Sequence, residues 1–194
     1  MFSFKGFITK ERNVHLEHLE DDIINRGSKG GENAINFLKS VRNMLAGSSG
    51  KKVNMTVKWD GAPAIICGTN PENGKFFVGT KSVFNKNPKV NYTTGDIRKN
   101  HSGALAEKLS IALRELGRLG INGVLQGDFL FSQSDLKKVN IDGEAMISFT
   151  PNTITYAVPA NSSIGKRISS ARMGIVFHTK YTGKTLDSMT AGFG

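Results

Sequence analysis

The chain has 194 residues, of which 38% are hydrophobic and 22 are glycine, with a formal charge of +10 and one cysteine, Cys67. No apolar run approaches a membrane span and no N-terminal stretch is long enough for a secretory signal, so a soluble protein without a membrane partner is expected. The lone cysteine excludes an internal disulfide, and the charge favours either a polyanionic partner or a solvated basic face.

In chain order, residues 1–12 form a leader-like segment with Phe2, Phe4 and Phe7 between lysines. Residues 13–27 read as a helix with Leu16, Leu19, Ile23 and Ile24 on one face, Asn13 as its cap and Gly27 as its stop. His15 and His18 sit three apart there, a metal-compatible spacing with no third ligand in view. A second helix over 31–47 carries a stripe of Ala34, Ile35, Leu38, Val41 and Leu45. Strands follow at 53–61 and 63–69, then the hairpin pair Asn73-Gly74 and a strand over 75–82. Residues 81–91 are basic and rich in asparagine. The clearest helix spans 102–119, with Leu105, Leu109, Ala112, Leu113 and Leu116 along its apolar face. Further strands are expected at 123–131, on both sides of Pro151-Asn152 within 145–159, and at 173–183, with a short helix over 162–172. Helices, hairpin strands, a helix and more strands give an α+β protein with mostly antiparallel sheets and flanking helices.

The stretch "TVKWDGAPAIICG" places Lys58 and Asp60 two apart inside an apolar run. On a strand these side chains share a face, with Trp59 turned to the core. Gly61 permits a tight turn and close approach of a ligand to the backbone. A lysine partly desolvated beside Val57, Trp59 and Ile65 loses proton affinity and gains nucleophilicity. The other reading of the pair is an ion pair at the end of a strand.

Lys58-Trp59-Asp60-Gly61 resembles the signature of the covalent nucleotidyltransferases: DNA ligases, RNA ligases and messenger-RNA capping enzymes. In that superfamily the lysine forms a covalent bond to a nucleoside monophosphate. Four more segments follow in the superfamily's order. "KFFVGTKSVF" resembles the strand whose basic and small polar residues, here Lys81 and Ser82, contact ribose and phosphates. "VLQGDFLF" places Asp128 where the superfamily has an acid for ribose or magnesium. "ISFTPNTITYAV" resembles the segment whose ring stacks on the base, Phe149 first and Tyr156 second. "RMGIVFHTKYTG" resembles the strand Glu-Gly-x-Val-x-Lys, with Met173 in place of the glutamate, His178 in place of the lysine, and Lys180 and Lys184 nearby.

The whole pattern, from about residue 53 to 184, looks most like an uncharacterised ligase-like family of large tailed bacteriophages. The resemblance implies an adenylation-domain (ATP-grasp-like) architecture preceded by two helices, filling 13–194. It also implies ATP and Mg2+, with Asp60 and Asp128 carrying the metal, and a monomer acting on nucleic-acid ends bearing a 5′-phosphate and a 3′-hydroxyl. Lys86, Lys89 and Arg98 would follow the phosphate backbone. A host-cell cytoplasmic or virion-packaged location goes with it. The superfamily's second domain has no counterpart after residue 184, so a chain lacking a C-terminal domain is one reading. Because the glutamate is missing, a ligase-like protein that binds nucleic acid or nucleotide without turnover is the alternative to an active enzyme.

Overall fold

The computed structural model describes residues 19–48 and 59–192, which fall into two compact units. The leader-like segment, His15, His18, Lys58 and the predicted strand up to it lie outside the described residues.

The first unit is a helical hairpin of α1 (Leu19–Arg26) and α2 (Ser28–Leu45). Gly27, at φ 57°, makes the turn between them, a conformation that glycine adopts without a steric penalty. A Cβ on Gly30 would lie 1.9 Å from the Asp22 carbonyl oxygen, so only glycine allows the helices to come this close. Asn33 donates to the Asp22 carboxylate at 3.1 Å across the hairpin. Of the predicted α2 stripe Ala34 is buried, while Ile35, Leu38 and Leu45 are exposed. The eight residues of α1 are too few to cover the eighteen of α2.

The second unit holds two antiparallel sheets. The larger has five strands and the smaller three. β1 (Ala64–Thr69) turns into β2 (Phe76–Gly79) through Asn73-Gly74, with Gly74 at φ 70° as the hairpin pair predicts. The chain then departs from the predicted strand: Lys81–Phe84 form a 3-10 turn, with the Thr80 hydroxyl accepting from the Ser82 amide. α3 (Thr94–Asn100) was not anticipated, although Thr93 and Asp96 supply a full capping box for it. α4 (Gly103–Leu116) matches the predicted helix and buries Leu109, Ala112 and Leu116.

β3 (Val124–Ser132) is the central strand, flanked by β1 and by β7 (Met173–Thr182), with short β8 (Thr190–Gly192) at the edge. α4 covers one face of this sheet through Ile65, Cys67, Val78 and Phe129. Each fully buried leucine or isoleucine contributes about 2 kcal/mol. Burial pushes the Cys67 thiol up to about 12, so it acts as a small apolar group. The other face holds Ile66, Phe77, Val124 and Tyr181.

β4 (Lys137–Ile141), β5 (Glu144–Phe149) and β6 (Tyr156–Pro159) form the small sheet, and α5 (Ser163–Ser170) packs on it. β4 was not foreseen, because all five of its residues are exposed and show no buried face. The chain is thus α+β with antiparallel sheets and flanking helices. Among the described residues no helix is long and apolar enough to cross a membrane.

Candidate functional site

Three segments far apart in sequence meet at one end of the large sheet. Ala64, at the start of β1, pairs with Asp128 on β3, which pairs with Val176 on β7. The turn Asp60–Pro63 leads into β1 and folds back over this end. The Ala62 amide donates to the Phe129 carbonyl at 3.1 Å, and the Phe129 amide to the Pro63 carbonyl at 3.1 Å. The Ala62–Pro63 peptide is cis. A Cβ on Gly61 would sit 2.8 Å from both the Asp128 Cβ and the Phe129 carbonyl oxygen. Gly61 and Asp128, 67 positions further on, are therefore packed against each other, and the glycine is required by space.

A β-bulge on β7 supplies the next group. Gln126 pairs with Thr179 and Gly127 with Phe177, leaving His178 as the extra residue. Such a bulge re-aims a side chain. His178 Nε2 lies 3.5 Å from Asp128 Oδ1, with the two side chains 32% and 14% exposed. The Thr179 hydroxyl is 2.8 Å from His178 Nδ1. When that hydroxyl donates, Nε2 carries the proton and presents it to the carboxylate.

Asp60 is held by Tyr156, which the sequence offered only as a stacking ring, and by Asn152, to which it did not point. Its amide donates to the Tyr156 hydroxyl at 2.9 Å, and that hydroxyl lies 3.3 Å from the Asp60 carbonyl, to which it donates. Asn152 Nδ2 donates to the Asp60 carboxylate at 3.1 Å. Lys108 reaches over from α4, donates to the Ala62 carbonyl at 3.1 Å and lies 5.2 Å from the centre of the Phe129 ring. Pro151-Asn152 reads in sequence only as a turn, and a lysine on a mostly apolar helix gives no sign of its partner.

The other predicted residues divide. Gly79 pairs with Ile66, so Lys81 and Ser82, just beyond, fall beside the start of β1 at this same end. Lys81 is exposed, and the Ser82 hydroxyl lies 2.9 Å from that of Thr80. Lys180 is not brought here. It pairs with Leu125, about 10 Å along β3 from Asp128, and faces away from buried Tyr181. Lys184 lies beyond the end of β7, further off still.

Phe149 is 4% exposed, with ring contacts to Phe131 at 4.8 Å and Tyr156 at 5.5 Å, so it is a core residue rather than an open platform. Trp59, expected in the core, is instead 40% exposed with its ring 5.0 Å from that of Tyr156. Met173 packs toward the α4-side core. Lys86, Lys89 and Arg98 are exposed on the loop and helix following β2, which the Val78–Asn91 bridge ties to that edge of the sheet.

Among the described residues no three His, Cys, Asp or Glu side chains converge as a protein-only metal cage. Magnesium does not need one: it keeps much of its water and is held by one or two carboxylates together with substrate phosphates. Asp128, on the sheet face away from α4 and only 14% exposed, fits that demand. Asp60 fits it less well, its carboxylate being engaged by Asn152.

Comparison with known proteins gives one match. Residues 13–194 match DUF6267, a family of unknown function. No curated protein and no solved structure matches the chain.

Proposed function

The chain belongs to this family of unknown function, and from its own geometry we propose that it is an ATP-dependent nucleotidyltransferase that carries AMP on Lys58 and joins nucleic-acid ends. The observation that carries the reading is the contact between Gly61 and Asp128. Two segments chosen separately for their resemblance to superfamily motifs are neighbours in space, with His178 from a third beside them. An adenylation-domain (ATP-grasp-like) architecture goes with this reading, since the Asp60–Pro63 turn is held by Tyr156 of the small sheet and by Phe129 of the large one.

The Lys58 amine, deprotonated, attacks the α-phosphorus of ATP. A nitrogen–phosphorus bond forms, the bond to the bridging oxygen breaks, and pyrophosphate leaves. AMP then passes to a 5′-phosphate, releasing the lysine, and a 3′-hydroxyl displaces AMP to seal the strand. Magnesium held at Asp128 would offset charge on the phosphate oxygens. The chain's own part is positioning and electrostatics. Tyr156 and Asn152 fix Asp60, two residues from the nucleophile. Lys81 offers a cation at the phosphate end, His178 a donor beside Asp128, and Lys86, Lys89 and Arg98 a track for the strand. Binding to that track weakens steeply with salt.

Incubation with α-labelled ATP or GTP and magnesium tests the proposal. A covalent label lost in Lys58→Ala and kept in Lys52→Ala is the expected result, and preference for GTP would move the reading to a capping-type guanylyltransferase. Absence of label with both nucleotides, alongside salt-sensitive strand binding, supports a second reading. In that reading the site binds nucleotide or nucleic acid without turnover. What favours it is Met173, which stands in the superfamily's glutamate position and packs into the core.

A further inference from the structure

Trp59 is the only tryptophan of the chain. It is also the one aromatic among the large exposed apolar side chains of residues 59–192. An exposed indole is not by itself informative, but this one ends a row. Trp59 lies 5.0 Å from Tyr156, Tyr156 stacks on Phe149 at 5.5 Å, and Phe149 lies 4.8 Å from Phe131 in the core. The Tyr156 hydroxyl, bonded to both the amide and the carbonyl of Asp60, fixes the middle of the row against the backbone that carries Trp59. The row thus runs from the interior to the surface and stops at an indole backed on one side by Tyr156. Asp60, which follows Trp59, forms a hydrogen-bonded group with Asn152 and Thr153.

We infer that Trp59 is the platform on which a nucleobase stacks at this site. A flat π-system extends the row by one more ring. Stacking on a ring already ordered by its neighbours loses little further side-chain entropy. A single indole is too small an apolar patch to dock a protein or a lipid surface. The net charge of +10 suits the phosphates that accompany a base. This assignment gives the site the aromatic surface that buried Phe149 does not. It rests on the nucleotidyltransferase reading for the identity of the polyanion, but on no part of the covalent step.

The base belongs either to the nucleotide or to the strand, and the test separates them. Fluorescence of Trp59 is followed in titrations with ATP, with a single strand of about twelve nucleotides, and with an abasic strand of equal length. Quenching by base-bearing ligand and none by the abasic strand is expected. Quenching by ATP alone assigns the platform to the nucleotide, and quenching by the strand alone assigns it to nucleic acid. Affinity for the quenching ligand, measured by calorimetry because neither variant keeps an indole, falls about tenfold in Trp59→Ala and is largely kept in Trp59→Phe, which retains a ring. Equal affinity in wild type and Trp59→Ala, with the abasic strand behaving like the normal one and no quenching by ATP, overturns the inference. If Trp59→Ala does not fold, the wild-type titrations and Trp59→Phe still decide. Quenching without a Lys58 label leaves the platform standing and removes the enzymatic reading. A label without quenching does the reverse.

Discussion

The two ends of the large sheet hold polar groups in different ways. At the hairpin end, Asn70 is buried, gives its Nδ2 to the Tyr92 hydroxyl at 2.7 Å, and accepts from the Glu72 amide at 2.9 Å. Glu72 accepts from the Leu186 amide, and Thr69 donates to the Ile121 carbonyl. A groove of about 580 Å3 opens beside these groups and the Phe84 ring. At the other end the backbone turn is well bonded, but Asp128 is left with capacity to spare. Asp128 has His178 at 3.5 Å, and Lys81 is exposed. A buried polar group that is fully partnered specifies the fold. A carboxylate with a long contact and free lone pairs is available to a ligand. The comparison teaches that a groove is a poor guide here, since this one lies where the polar groups already satisfy one another.

Substitutions at the two ends should therefore fail in opposite ways. Asp128→Asn is expected to have the largest effect: nucleotide labelling falls about 100-fold, the usual size for removing one electrostatic group from a reacting centre. Its melting temperature should stay close to wild type, because the one polar partner of Asp128 among the described residues is a long contact. Asn91, fully buried behind β2, is the opposite case. Its Nδ2 donates to the Val78 carbonyl at 2.9 Å, and its Oδ1 accepts from Asn100 at 2.9 Å. Asn91→Ala leaves a void and an orphaned Asn100 amide, and costs about 2 kcal/mol in urea unfolding. Labelling per folded molecule should be unchanged. A loss of activity without loss of stability in Asn91→Ala, or the reverse in Asp128→Asn, would erase the distinction between the ends.

A third substitution sharpens the same contrast and bears on what the sequence reveals. Restoring the superfamily's glutamate by Met173→Glu should not raise labelling, because position 173 packs on the α4-side core while Asp128 shares the opposite face with Gln126. It should lower stability by about 1 kcal/mol, through a carboxylate set against apolar neighbours. Wild-type stability with increased labelling would show that the strand turns over when nucleotide binds.

Elements with a strong period were legible: α4 from its leucine spacing, β1 and β3 from apolar runs, the hairpin from Asn73-Gly74. β4 was not, since an edge strand exposed along its whole length has no alternation to read. α3 was missed between the basic stretch and the long helix after it, although its capping box was present. Within the site, Asp60, Gly61 and Asp128 were legible as residue types that are costly in apolar strands. Asn152 and Lys108 were not, because a hydrogen bond to a backbone carbonyl 46 positions away leaves no pattern in sequence, and Tyr156 was singled out for its ring rather than for its hydroxyl's hold on Asp60. His178 owes its direction to a bulge, and Trp59 its exposure to the chain's departing from a regular strand at that point.

The smallest expected effect is a pH dependence at the partnered end. His101 lies 3.4 Å from the Asn91 amide, which can donate to Nε2 only while that nitrogen is unprotonated. Its pKa is lowered below 6.5, first by desolvation and then by the charge of Lys89. The folded protein thus favours the neutral ring, and the unfolded chain takes up the proton first as pH falls. Stability is unaffected by this group well above pH 6.5. It decreases as pH drops through 6.5 and levels off only once the folded ring is also protonated. Urea midpoints measured from pH 8 to pH 5 should fall more steeply for wild type than for His101→Gln, which keeps an acceptor and cannot titrate. The remaining histidines contribute to both curves and cancel in the difference. Parallel curves would mean that the ring exchanges protons as freely in the folded protein as in the unfolded chain. The hairpin end would then be less tightly closed than its hydrogen bonds indicate.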